Sequence, residues 1–136
     1  MLNFRTILLA SLLLVGVALI MIMLAMLSGI ETATAPQLLT ATALWIGPGF
    51  YAGKRAGDAG ILHGMLAGLL GAVLIILQIG LISSLAERSP FIDQLAARGY
   101  MIVLILGGLW GSVGGMFADT ARVIKARRAQ RKRNSE

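Results

Sequence analysis

This sequence predicts an all-α polytopic membrane protein, with four transmembrane helices arranged as two hairpins. Three observations carry that reading. Long apolar runs alternate with short polar connections, and residues 6–27, 38–53, 61–83 and 100–118 are the candidate spans. Hydrophobic residues make up 57% of the 136-residue chain and charged residues only 13%, about half the charged share of a soluble domain. The 12 Lys and Arg residues against 6 acidic ones (net +6) are unevenly distributed along the chain. There is no cysteine, so disulfides, thiolate metal sites and a Cys nucleophile are excluded.

Residues 6–27 carry no charge, and at ~1.5 Å per residue they extend ~33 Å, enough for a ~30 Å hydrocarbon core. Ala18 is expected to face lipid. A cleaved secretory leader is the rival reading, with Ala33-Thr34-Ala35 as its small-residue site. The apolar run exceeds the ~7–15 residues of such a leader, and Pro36 would follow the cut, so a retained span is the better reading. Pro36 suits a first helical turn, where its missing N–H costs nothing.

The second span, 38–53, is short and interrupted by Gly47-Pro48-Gly49. Pro48 removes one backbone hydrogen bond and is expected to kink the helix or break its last turn. The turn from Lys54 to Gly60 follows, with Lys54 and Arg55 as topological anchors and Asp58 as the expected cap of the third helix. That helix carries Gln78, whose expected role is a hydrogen bond to another helix. The connection from Ser84 to Gly99 interleaves Glu87, Arg88, Asp93 and Arg98 with Phe91, Ile92 and Leu95. A short interfacial helix starting at Ser89 or Pro90 is expected there. The fourth span runs over 100–118. It leads without a helix breaker into a basic tail, residues 119–136, holding Arg122, Lys125, Arg127, Arg128, Arg131, Lys132 and Arg133.

Arg5, Lys54, Arg55 and the seven tail residues give ten cations on one side of the four-span arrangement, and Arg88 and Arg98 give two on the other. By the positive-inside rule both termini lie in the cytoplasm of a cell-membrane protein. The segments Leu44-Trp45…Phe50-Tyr51-Ala52 and Leu109-Trp110…Phe117-Ala118 echo one another with a one-residue gap, which suggests two related hairpins.

Glycines carry the sharpest pattern. Gly60, Gly64 and Gly68 lie four apart, as do Gly107, Gly111 and Gly115, and Gly49 and Gly53 lead toward Gly57 in the same step. Such spacing puts each set on one helix face. A glycine face lets backbones approach where lipid offers no hydrophobic drive, so helix packing is expected, with a pore lining or sliding surface as the alternative. His63, the single histidine, is a candidate proton-sensitive group or metal ligand, but with no companion ligand an interfacial role at headgroups or a helix end is the better reading. Lys54, Arg55, Asp58 and His63 are grouped as the cytoplasmic turn. Asp119 is expected to pair with Arg122 or Arg55. No nucleophile–base set, HExxH or phosphate loop is present, and no Asp, Glu, Lys or Arg lies mid-span as in ion-coupled transport.

The run Gly49-Phe50-Tyr51-Ala52-Gly53-Lys54-Arg55-Ala56-Gly57, followed by Gly60-Ile61-Leu62-His63-Gly64 and Gly68, resembles the YrzE-like small four-span membrane proteins of unknown function from Gram-positive bacteria. The glycine-rich last helix fits the same pattern, whereas the long basic tail departs from it. The resemblance implies a four-helix integral membrane protein and carries no activity, catalytic residue, cofactor or metal. The expected role is therefore a non-enzymatic structural or helper protein, with a subunit of a small oligomeric channel or transporter as the alternative. Expected partners are the lipid bilayer, anionic headgroups for the tail, and a second copy or larger membrane protein across the glycine faces. Nucleic acid is the least favoured.

Overall fold

The computed structural model describes residues 3–30, 34–57, 59–85 and 100–134. Among them every regular element is helical: α1 (Phe4–Leu27), α2 (Ala35–Thr42), a 3-10 turn (Ala43–Trp45), α3 (Ile46–Ala56), α4 (Gly60–Leu85) and α5 (Tyr100–Arg133). Three of these, α1, α4 and α5, are long and apolar enough to cross a membrane. The segment from α2 to α3 is made of pieces that each fall short of that length. The Asp58 cap, the Ser89/Pro90 helix and the charges of the second long connection lie outside the described residues.

Local chemistry sets the helix ends. Asn3 opens α1, its side chain accepting from the Thr6 N–H at 3.3 Å. Pro36 stands in the first turn of α2, and the Gln37 side chain accepts from the Thr34 N–H at 2.9 Å. The break in the second helical segment falls one turn before Pro48 rather than in the last turn. Pro48 has no N–H for the Leu44 carbonyl and its ring crowds that carbonyl, and Leu44 sits in the 3-10 turn. From Ile46 onward the helix is regular, with Pro48 in its first turn. Gly57, at φ +80°, ends α3, and a Cβ placed there would meet nothing within 4 Å. It is a helix terminator and not a continuation of the Gly49–Gly53 face.

Contacts fix the directions. Asn3 meets His63, Ser11 meets Ala67 and Leu14 meets Gly71, so α1 and α4 run parallel. Gly60 meets Gly115, Gly64 meets Gly111 and Gly68 meets Gly107, so α4 and α5 are antiparallel. Thr42 meets Trp110 and Gly53 meets Ala118, so α2–α3 runs alongside α5. The beginnings of α1 and α4 and the end of α3 thus share one end of the bundle with Asp119.

Ala18 departs from expectation. It is buried in a core stripe with Leu14 and Ile22, one helical turn to either side, packed with Trp45, Ile75 and Ile79. Four-residue spacing put it on the same face as those two large residues. Toward the opposite end the helices diverge around an apolar cleft of about 690 Å³, bordered by Ala18, Ala25, Leu39, Trp45, Ile79 and Ile102.

Candidate functional site: a glycine seam closed by a polar latch

The eight glycines singled out in the sequence meet along α5. A methyl group on Gly49 would lie 2.6 Å from the Gly111 carbonyl oxygen, and one on Gly107 2.6 Å from that of Gly68. One on Gly53 would lie 2.9 Å from the Ala118 Cβ. Methyls on Gly64, Gly68, Gly111 and Gly115 would collide with the carbonyl oxygens of Gly111, Gly107, Gly64 and Gly60. At these carbonyl contacts backbone faces backbone, with no flexible side chain to swing aside, whereas a methyl on Gly60 would meet the Asp119 carboxylate. Carbonyl oxygens set against Cα atoms in this way are the geometry of weak Cα–H···O contacts between helices.

Helix α5 presents two glycine edges. Gly107, Gly111 and Gly115 face α4, while Gly114 packs against the Ile46 carbonyl and the Phe50 N–H of α3. Sequence reasoning passed over Gly114 because it breaks the four-residue step. Its offset of three from Gly111 was the available signal, since i+3 and i+4 positions bracket two neighbouring faces. Gly71, against Leu14 of α1, was likewise passed over.

A polar cluster closes one end of the seam. The Asp119 carboxylate accepts from the Gly60 and Ile61 N–H groups, each at 3.2 Å. These are free donors of the first turn of α4, where a negative charge also complements the helix dipole. Arg122, one turn along α5, donates to Asp119 at 3.1 Å and to the Gly53 carbonyl at 2.8 Å. That carbonyl belongs to the last turn of α3, where a cation is favoured. Of the two partners expected for Asp119, the structure shows Arg122. Two residues of opposite charge, one turn apart on α5, thus hold the end of one helix and the start of the next. Arg55 lies over the Tyr51 ring at 5.6 Å, and Lys54 is exposed on the same turn.

His63 is 2% exposed and does not stand at the surface with the basic turn. Its Nε2 accepts from the Asn3 N–H at 3.1 Å, and its Nδ1 lies 3.0 Å from the Ala59 carbonyl. A backbone N–H can only donate and a carbonyl only accept, so this pair of contacts specifies the neutral ring with its proton on Nδ1. The ring ties the start of α1 to the start of α4. Ser11, fully buried, adds a second tie by donating to Ile7 and Ala67 carbonyls. Trp110 donates to the Thr42 hydroxyl at 3.1 Å, joining α5 to α2. The buried Oε1 of Gln78 has no partner among the described residues, so the expected interhelical bond is not formed there.

No group of three or more His, Asp or Glu side chains placed to hold a metal occurs among the described residues. Of the tail cations, Arg122 turns back into the latch, and Lys125, Arg127, Arg128, Arg131, Lys132 and Arg133 are exposed along the continuation of α5. No family model, curated protein or solved structure matches the chain.

Proposed function

We propose that this chain is a four-span integral protein of the cell membrane with both termini in the cytoplasm. In this reading it is a non-enzymatic structural or helper protein, and it associates with a partner in the bilayer rather than processing a substrate. The carrying observation is the outer surface of the long helices. Leu12, Ile20, Leu24, Leu77, Leu81 and Ile105 are each more than half exposed, on three helices of spanning length. In water so broad an aliphatic surface drives aggregation, whereas in a bilayer it meets its natural solvent.

Residues 35–56 are helical throughout, apart from the 3-10 turn, and would rise about 33 Å at 1.5 Å per residue. That supports counting them as a fourth span. The ten-to-two charge bias supports the orientation, and the motif from Gly49 to Gly68 supports kinship with the YrzE-like group. The seam weighs against the channel alternative for a single copy, because backbone-to-backbone contact leaves no path along the glycine faces. Lys125, exposed near the membrane end of the tail, supports a contact with anionic headgroups, which attract about 1 kcal/mol per basic residue. Reporter fusions after residue 136 and within 54–60 should read cytoplasm, and fusions near Ala33 and Ala86 the outside. A cytoplasmic signal at Ala86 sinks the four-span arrangement.

A further inference from the structure

The outer part of the tail has a different destination from its base. Helix α5 is unbroken from Tyr100 to Arg133, and the Asn134 N–H still bonds to the Gln130 carbonyl at 3.2 Å. Asp119 is level with the first turn of α4. At ~1.5 Å per residue, Arg127 and Arg128 stand ~12–14 Å beyond it, and Arg131 and Arg133 ~18–21 Å beyond. A headgroup layer is only ~5–7 Å deep on each side, and a typical ~20° tilt shortens these heights little. Arg131 and Arg133 therefore clear the layer by more than the ~8 Å Debye length of physiological salt. To lie on their own bilayer they would have to break a helix that holds no Gly or Pro between Asp119 and Arg133.

From this geometry we propose that the outer tail is a docking post for the phosphate backbone of nucleic acid, bound without sequence preference. The inference rests on the membrane reading above. Residues 126–133 read Ala-Arg-Arg-Ala-Gln-Arg-Lys-Arg, all exposed, with no acidic and no large apolar side chain. An interface with a protein is anchored by buried apolar and aromatic groups, with charge depleted at its core, and this stretch offers none. A polyanion of regularly spaced phosphates asks only for charge. Arg127 and Arg131, four apart, are like-charged neighbours on one helix face, an arrangement that opposes the helix in isolation. Phosphates between them would turn that repulsion into attraction, and guanidinium groups bind phosphate in a two-pronged fashion.

The test uses the full chain in nanodiscs of zwitterionic phosphatidylcholine, titrated with a short fluorescein-labelled uridine oligonucleotide at several salt concentrations. Each neutralised phosphate on a single strand contributes ~0.7 to the slope of log affinity against log salt. Replacing Arg127, Arg128, Arg131 and Arg133 together by Gln should flatten that slope by about three, whereas Lys54→Gln should change it by less than one. Equal slopes for wild type and the fourfold variant overturn the proposal. A second measurement exploits the absence of cysteine: Gln130→Cys carries a single spin label in discs containing phosphatidylglycerol. The label should be relaxed by a water-soluble reagent and not by a bilayer-restricted one. The reverse result places the outer tail on its own lipid and also overturns the proposal. A chain that fails to enter nanodiscs at all refutes the membrane reading instead.

Discussion

The two ends of this bundle are built on opposite principles. At the end holding Asp119, α3, α4 and α5 pack backbone to backbone through glycines and are tied by charge-assisted hydrogen bonds. At the other end α4 carries Ile75 and Ile79, α5 carries Ile102 and Leu106, and these helices border the 690 Å³ cleft together with α1 and α2. Without side chains at the crossing, helices meet closely and a single added methyl has nowhere to go. With branched side chains they stand apart, and bulk can be added. Precision of position is thus concentrated at the end where the chain reverses from α3 to α4 and where α5 departs into the tail.

The comparison is broken most directly at the seam. Gly64→Ile or Gly111→Ile should cause the largest loss, at or above the ~1–3 kcal/mol typical of overpacking, because the obstructing atom in each case is a backbone carbonyl. Melting in detergent measures it, with Gly16→Ile and Gly80→Ile as controls at positions with nothing within 4 Å. Equal midpoints for all four variants and wild type would remove the packing account. A smaller loss, about 1 kcal/mol, is expected for Asp119→Ala, which frees two helix-start N–H groups and leaves Arg122 with the Gly53 carbonyl alone. If it melts like wild type, the latch is ornamental.

At the cleft end the sign should change. Ala25→Leu adds bulk to a residue bordering open apolar space, and it should be neutral or mildly stabilising, since lining a void forfeits contacts. Destabilisation comparable to Gly64→Ile would mean that the two ends do not differ. The smallest effect belongs to the turn. Ala59 holds φ +52°, a conformation that costs an L-residue roughly 1–2 kcal/mol, while glycine there adds a similar entropy cost to folding. Ala59→Gly should shift the midpoint by a degree or two at most.

Much of the seam was legible because its signal is periodic. Gly60, Gly64 and Gly68 announce a face by spacing alone, and so do Gly107, Gly111 and Gly115. What was not legible is where a residue's neighbours lie across chain distances of about sixty positions. His63 and Asn3 are far apart in sequence, and nothing local to either predicts a ring nitrogen accepting from a helix-capping N–H. Ala18 looked lipid-facing because α1 is apolar all round, so no polar stripe marks its outer side. Pro48 was read correctly as a disruption, but its effect falls on the carbonyl four residues back, so the irregular turn lies upstream of it.

By itself the sequence determined the helical character, the long apolar runs, the glycine faces and the one-sided charge, since each is a matter of local composition and period. Only the tertiary structure decided which faces meet. Glycine faces are interchangeable in sequence, and what pairs Gly64 with Gly111, and Gly49 with the same turn of α5, is the simultaneous fit of three backbones. It also decided that Asp119 and Arg122 serve two other helices. A carboxylate finds free N–H groups wherever a helix happens to begin, and that place is set by packing and not by the residues beside it.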